Sequence, residues 1–323
     1  MIFDSDAGSK APTFHHDLCH DHLPPFDLIR GRVETERGVG MTLHSLWQSS
    51  YYTWYNPLTA WPKNGRFEDW WAQSRHDFDN ARATGFYRYQ LPAFTDLYGV
   101  DFDTITDAQA REVNDRVFDH YRDRQWIYEV VTERANIELM VMDPYWDRLG
   151  FNLEYPFAVP TVNVTALIRG VHPSDFPSPH DSPYRFAARE NLKLDSLDDY
   201  LVVLERILAY GKSKGAICLK TTTAYERTLD FANVSDVMGS NRILWGADAH
   251  HAEGIYAATA VTRRCLAEAL AEKVERGELR EEHALRIGTQ IMRDNALELF
   301  PSLKEKLWKH KGLKMRPPAQ AQP

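Results

Sequence analysis

The chain has 323 residues, of which 43% are hydrophobic and 26% charged, as in a folded globular protein of one large or two ordinary domains. Its net charge of -8 argues against a nucleic-acid-binding surface, and its basic run is confined to the region 304–314. No stretch reaches the roughly 18 apolar residues of a membrane span, and the first residues lack the pattern of a signal peptide. We therefore expect a cytoplasmic protein that binds neither nucleic acid nor membranes.

The first predicted element is a short strand in DLCHDHLPP, residues 17–25, which carries His20 and His22. Alternate side chains of a strand point to the same side, so both imidazoles can be directed at one metal ion. Three Trp and three Tyr follow between positions 46 and 61. They form either a core layer, which we favour, or an aromatic wall over a small-molecule pocket.

Helical patterns come next, and they predict a helical insertion at about 46–136. Residues 67–84 are polar with recurring aromatic side chains, and residues 107–136 begin with a capping pattern formed by Thr106 and Gln109. Later helical patterns cover 197–215, 252–276 and 281–300. In the first of these, four leucines share one predicted face. They are Leu197, Leu201, Leu204 and Leu208.

Short apolar runs alternate with these later helices, and each run ends in polar residues. This order of strand, polar tip and helix predicts a parallel α/β sheet whose working groups lie at the C-terminal ends of the strands. A (β/α) barrel is the leading architecture. The predicted strands are 137–146 with Asp143, 162–168, GAICLK ending in Lys220, and RILWGADAHH with Asp248.

These motifs together resemble the amidohydrolase superfamily, which are metal-dependent (β/α)8-barrel hydrolases, and their uronate-isomerase relatives. The HDH pair stands where the family's first strand carries two metal ligands. RILWGADAHH is similar to the last barrel strand, whose aspartate binds the metal and takes the proton of the attacking water. QIMRDNALELF, residues 290–300, resembles the helix that follows. The resemblance implies that His20, His22 and Asp248 bind a divalent ion, expected to be zinc, and that Asp248 is catalytic.

Further site residues are implied by the same resemblance. In some relatives the lysine at the tip of strand four is carbamylated and bridges two metal ions, which adds Lys220 to the ligand set. The alternative is an ammonium group that pairs with a carboxylate at the barrel mouth. Tyr225 and Arg227, just beyond that strand, are expected to bind the substrate. Arg88 of the insertion suits a substrate carboxylate, which it could pair with in bidentate fashion.

The chain departs from the family between Arg227 and Asp248. The 20 residues 228–247 contain no histidine, whereas one βαβ unit takes about 30 residues. The fold prediction is therefore a TIM-barrel-derived α/β domain, an incomplete parallel barrel that lacks strands five to seven. It spans 1–312, and residues 313–323 are predicted to be a disordered tail. We interpret His172, His180, His250 and His251 as solvent-facing loop residues.

Three functions remain open at this point. The first is a metal-dependent hydrolase of a small polar substrate, with activity reduced by the missing segment. The second is an aldose–ketose isomerase of the uronate type. The third is a non-catalytic, shortened homologue that acts as a binding or oligomerising protein. A small molecule is the expected partner in the first two functions, and a homo-oligomer is compatible with all three.

Overall fold

The computed structural model describes residues 17–165, 167, 182–221 and 240–307. Strands and helices in these residues are numbered in chain order. The strands are β1 Asp17–Asp21, β2 Val33–Thr35, β3 Gly38–Gly40, β4 Ile137–Met142, β5 Ala158–Pro160, β6 Val162–Asn163 and β7 Leu219–Lys220. The α-helices are α1 Leu43–Gln48, α2 Phe67–Ala81, α3 Gly85–Arg88, α4 Leu91–Ala93, α5 Asp107–His120, α6 Gln125–Tyr128, α7 Pro183–Arg189, α8 Leu197–Ser213, α9 Ala252–Glu275, α10 Glu281–Thr289, α11 Asn295–Leu299 and α12 Ser302–Lys306.

A parallel sheet lies at the centre of the molecule. Strand β1 pairs with β4, and β4 pairs with β5, in both cases in parallel. Strand β6 follows β5 after one residue and pairs in parallel with β7. Two separate short strands, β2 and β3, form an antiparallel hairpin. The predicted mixed α/β fold with parallel strands is thus confirmed.

The segment 247–249 extends this sheet on the other side of β1. The Ala247 amide donates to the His20 carbonyl oxygen at 3.1 Å, and the His22 amide donates to the Ala249 carbonyl oxygen at 3.2 Å. The backbone amide and carbonyl groups of successive strand residues point to opposite sides of the strand. Those of His20 and His22 therefore pair with this segment, whereas those of their neighbours pair with β4. The strands therefore stand side by side in the order 247–249, β1, β4, β5 with β6, and β7.

Two strand predictions need correction. The strand predicted at 162–168 lies earlier, in β5 and β6, and Asn163 is its last residue. The segment around Asp248 is extended, but it is not a regular strand, because Asp248 has a φ of +52° that interrupts the pleat. Strand β4 agrees with the prediction, and so does β7, which ends at Lys220 as expected.

The insertion after β1 is helical, as predicted, but its second long helix is divided. Helix α5 begins with the expected capping box of Thr106 and Gln109 and stops at His120. The Asp123 carboxylate then accepts a hydrogen bond from the Gln125 amide at 2.9 Å, which starts α6. A π-helical turn at Glu129–Arg134 completes this region. The side chain of Asp123 therefore supplies a new helix start inside the segment predicted as one helix.

Aromatic side chains fill the core of the insertion. Trp47 is fully buried, and its ring stacks on Tyr87 and Phe94 with ring centroids 5.4 Å apart in both pairs. Tyr52 and Trp70 are also fully buried. The core-layer interpretation of the aromatic run is thus correct for these residues, and the large area that they bury contributes to the stability of the insertion.

Helix α8 presents a different face to the core from the one predicted. Its buried positions are Val203, Ile207 and Gly211. A side chain at Gly211 would approach Val162 to 2.6 Å, so glycine allows the helix to pack closely on the sheet. Leu197 is 73% exposed, and Leu201 and Leu208 are also exposed. The leucine spacing identified the helix but not its buried side.

The last predicted helices of the chain are present in the structure. Helices α9 and α10 agree with the patterns at 252–276 and 281–300, and a π-helical turn at Gln290–Asp294 separates α10 from α11. The predicted tail 313–323 lies outside the described residues. Within the described part of the chain, no helix combines the length and apolar character needed to cross a membrane.

Candidate metal centre

Three of the predicted metal ligands lie together at one end of the sheet. His20 and His22 project from the end of β1, with ring centroids 5.1 Å apart. A ligand atom from each of His20, His22 and Asp248 lies within 4.8 Å of the others. One divalent ion can bind all three ligand atoms after small movements of the side chains. We refer to these three residues as the metal cluster.

Asp248 reaches the two histidines because the segment that carries it packs directly on β1. A side chain at Gly246 would approach the His20 Cβ atom to 3.1 Å, so the close packing depends on glycine. On the other face of β1, the buried carboxyl of Asp21 accepts a hydrogen bond from the Ala249 amide at 2.6 Å. Burial raises the pKa of Asp21 to about 8. The HDH motif therefore contributes two candidate ligands, His20 and His22. Its central residue, Asp21, holds the segment that carries the third, Asp248.

The orientation of His22 favours a positive charge in the cluster when Nδ1 carries the proton. Its Nδ1 atom lies 3.3 Å from the Asp143 carbonyl oxygen, which can only accept a hydrogen bond. Its Nε2 atom lies 2.7 Å from a carboxylate oxygen of Asp248. If Nδ1 carries the only proton, two lone pairs face each other across this short distance. A cation between them, or a second proton on the imidazole, removes the repulsion.

Lys220 provides such a cation in this structure. Its Nζ atom lies 3.1 Å from His20 Nε2 and 2.9 Å from His22 Nε2, so the ammonium group donates to both imidazoles. It is also 3.5 Å from a carboxylate oxygen of Asp143. This is the arrangement of an ammonium group paired with a carboxylate, which was the alternative to a carbamylated ligand. The role of Lys220 as a ligand stays a prediction.

The protonation states of His20 and Asp248 suit metal binding. Burial, and then the charge of Lys220, lower the pKa of His20 to about 4, so this imidazole is neutral at pH 7. Burial acts to raise the pKa of Asp248, but the proximity of His22, the hydrogen bond from the Tyr51 hydroxyl and the charge of Lys220 outweigh it and hold the pKa below the ordinary value. Neutral imidazoles and an ionised carboxylate are the forms that bind divalent metals.

Residues beyond the three ligands support the cluster, and no functional role was predicted for them. Asp143 is 1% exposed at the tip of β4, where Asn163 donates to its carboxylate at 2.7 Å. Tyr51, from the aromatic run, donates to Asp248. Strand-tip position was a signal that could have identified Asp143 and Asn163. No sequence signal distinguished Tyr51 from the aromatic residues of the core around it.

The interpretation of His250 and His251 as solvent-facing residues is wrong. His251 is 1% exposed and caps α9 by accepting a hydrogen bond from the Gly254 amide. His250 is half-buried, and its ring centroid lies 5.6 Å from that of His22. Burial lowers the pKa of His250 to about 4.

The other predicted site residues are not brought to the cluster. Arg88 ends α3 with an exposed side chain, and no described residue forms an ion pair with it. Other polar side chains of the insertion make internal contacts. Tyr87 and Tyr98 donate to Asp103 and Glu253, and Arg82 pairs with Asp79 and Asp103. Tyr225, Arg227, His172 and His180 lie outside the described residues.

Comparison with known proteins adds no family assignment. No protein-family model matches this chain, and no curated protein matches it. Function must therefore be argued from the chemistry of the metal cluster and its surroundings.

Proposed function

We propose that this protein is a metal-dependent hydrolase of the amidohydrolase type that acts on a small polar substrate. The observation that carries the proposal is the convergence of His20 and His22, at the C-terminal end of the parallel strand β1, with Asp248, on the segment that pairs with β1. In parallel α/β folds the active groups lie at this end of the sheet. Two imidazoles and one carboxylate form a donor set that suits zinc and leaves a coordination position open.

The order of the strands supports a barrel-derived architecture. The described strands stand in the order 247–249, β1, β4, β5 with β6, and β7. In a (β/α)8 barrel, the last strand and the first four strands are neighbours in the same order. On this proposal the described strands form one arc of a barrel. The metal cluster then lies where the last strand meets the first, as the family resemblance implies.

The residues of the cluster have distinct proposed roles. A bound zinc ion would supply Lewis acidity and lower the pKa of a water molecule toward neutrality. His20 and His22 would hold the ion as neutral ligands, with the carbonyl of Asp143 fixing the orientation of the His22 ring. Asp248 would accept the proton of the attacking water at its carboxylate. Tyr51 would keep that carboxylate in position through its hydrogen bond.

A second candidate is a binding protein without catalytic activity. The ammonium group of Lys220 donates to the Nε2 atoms of both histidines, which are the atoms that would bind a metal. A lysine that remained there would compete with any divalent ion. The two candidates differ in whether zinc can displace Lys220, and this can be measured.

The first experiment measures zinc uptake and turnover on the same preparations. Chelator-treated protein is reloaded with zinc, the bound metal is quantified by mass spectrometry, and hydrolysis of a panel of small amides and lactones is followed. We expect one zinc per chain, weak turnover that requires zinc, and loss of that turnover in Asp248→Asn. His22→Ala should lose zinc, whereas His283→Ala, which changes an exposed histidine of α10, should retain it.

Each outcome separates the candidates. Absence of zinc uptake by the wild-type chain would contradict the metal centre. Zinc uptake without turnover of any substrate would favour the binding protein. Turnover that persists unchanged in Asp248→Asn would refute the role of Asp248 as the proton acceptor.

A further inference from the structure

A cavity of about 320 Å³ lies beside the metal cluster. This volume is at the lower end of the range for sites that bind small molecules. Its wall is formed by residues near Arg30 and by the aromatic run after α1, together with Tyr145 and His250. Trp54 contributes to the wall, and its side chain is 59% exposed.

Two contacts connect the cavity to the metal cluster. Tyr51 lines the cavity and donates its hydroxyl hydrogen to Asp248. His250 also lines the cavity, and its ring lies 5.6 Å from the ring of His22, centroid to centroid. A molecule in the cavity would therefore be adjacent to the groups assigned to the reaction.

The cavity has a positive lining in a protein of negative net charge. The chain carries a net charge of -8, yet none of the residues that line the cavity is acidic. Arg30 lines it, and no carboxylate of the described residues pairs with this guanidinium. The guanidinium carbon lies 4.9 Å from the ring centroid of Tyr145, an arrangement that favours one position of the arginine over the aromatic face.

We infer that Arg30 binds the carboxylate of a small organic acid in this cavity, and that the substrate class is therefore acidic. This inference rests on the proposed function for the identity of the reacting groups. The planar guanidinium matches a carboxylate in bidentate geometry, and contact with Tyr145 limits its freedom before the ligand arrives. The exposed face of Trp54 offers a surface on which a ring can stack.

Arg30 therefore takes the role that was predicted for Arg88. Both side chains are exposed, but only Arg30 lines the cavity next to the cluster in the described part of the chain. The Ser49 hydroxyl of the wall donates to the Arg30 carbonyl and the Ser50 hydroxyl donates to the Trp47 carbonyl. The Ser50 oxygen also accepts from the Tyr52 amide, whereas the Ser49 oxygen can accept a hydrogen bond from a hydroxylated ligand.

The test compares acids with neutral molecules of the same shape. Binding of glucuronate against glucose, and of benzoate against benzamide, is measured by NMR titration of the metal-free full-length chain. The wild type should bind each acid about ten- to a hundredfold more tightly than its neutral partner, as a charged hydrogen bond would give. Arg30→Gln should abolish this preference, and Arg30→Lys should retain part of it. Arg286→Gln, at an exposed arginine of α10, is the matched control and should bind like the wild type.

The opposite results would overturn the inference. They are equal binding of acid and neutral partner by the wild type, an unchanged preference in Arg30→Gln, or a preference that depends on Arg88 instead. Circular dichroism of each variant shows that it is folded. Zinc uptake by the same preparations separates the two claims, since a missing acid preference with normal zinc binding refutes only the role of Arg30. An acid preference without zinc binding refutes only the hydrolase.

Discussion

At the scale of single residues, the decisive feature is the short separation between His22 and Asp248. The Nδ1 atom of His22 is directed to a carbonyl oxygen, and its Nε2 atom is 2.7 Å from the carboxylate. When Nδ1 carries the proton, a positive charge beside the two groups stabilises this arrangement. Lys220 supplies this charge in the structure, and a metal ion is proposed to supply it in the active protein.

The first prediction concerns Lys220. Replacement by methionine keeps the volume of the side chain but removes an ammonium group that lies about 3 Å from both imidazole nitrogens. Because that charge repels a dication, we expect Lys220→Met to bind zinc about tenfold more tightly or better. Zinc affinity is measured by competition with a chromogenic chelator, with Lys212→Met as the control at an exposed position. Weaker zinc binding would instead show that Lys220 is itself a ligand.

The second prediction concerns His44, which is buried between Trp61 and Trp70. Neither of its ring nitrogens has a hydrogen-bond partner in the described structure, and burial lowers its pKa to about 4 from an ordinary 6.5. The unfolded chain thus takes up the proton first, and stability is lost as the pH falls from 6.5 toward 4. This loss is about 1–3 kcal/mol from His44 alone.

Denaturant unfolding at pH 7 and at pH 4.5 tests this prediction. The wild type should lose more unfolding free energy between these two pH values than His44→Phe does, because phenylalanine cannot be protonated. His283→Phe, at an exposed position, should behave like the wild type. Equal losses in His44→Phe and the wild type would show that His44 does not contribute to acid sensitivity.

At the scale of elements, α9 is fixed to the insertion by one buried carboxylate. Glu253, in the first turn of α9, accepts hydrogen bonds from Tyr98 at 2.7 Å, Tyr121 at 2.6 Å and Trp126 at 3.0 Å. These donors lie in the insertion, and α9 follows directly after the segment that carries Asp248. Glu253 therefore joins the helical insertion to the part of the chain that positions the metal cluster.

The third prediction tests this connection. Tyr121→Phe removes a donor to Glu253 and an acceptor for the Ala252 amide, and both groups are buried. We expect a loss of about 2 kcal/mol of unfolding free energy, since the carboxylate and the amide lose a partner inside the protein. Tyr256→Phe removes a hydrogen bond to Asp96 at the surface and should cost less than about 1 kcal/mol. Equal costs in the two variants would contradict a special role of the buried carboxylate.

Much of the element pattern could be predicted from the sequence, whereas the details of the site could not. Apolar runs with polar tips identified β4 and β7, and the HDH spacing identified both histidines of the cluster. The conformation of Asp248 depends on tertiary packing against β1, which no local pattern reports. The same is true of Tyr51, because its role depends on a carboxylate that is 197 positions away. The buried side of α8 was also set by tertiary packing, here against the sheet.

At the scale of the whole molecule, the metal cluster joins distant parts of the chain. His20 and His22 lie near the start and Asp248 lies more than 220 positions later, and the three meet only when the sheet has formed. An ion that bound them would therefore bind the folded state and not the unfolded chain. Its binding free energy would add to the stability of the fold.

The fourth prediction follows from this linkage. Zinc at a hundredfold excess over its dissociation constant should raise the unfolding free energy of the wild type by about 2.7 kcal/mol. Denaturant unfolding with zinc and with a chelator measures the difference. His22→Ala should show no such increase, while His283→Ala should show the full effect. An equal increase in His22→Ala would mean that zinc stabilises the protein at another place.

The central claim is that His20, His22 and Asp248 bind one divalent ion. An anomalous difference map, recorded at the zinc edge from crystals of the zinc-loaded chain, tests it most directly. The account predicts one strong peak at roughly 2.0–2.2 Å from His20 Nε2, His22 Nε2 and a carboxylate oxygen of Asp248, with the ammonium group of Lys220 moved away from both imidazoles. A map without a peak at this position, with Lys220 still hydrogen-bonded to both histidines, would contradict it.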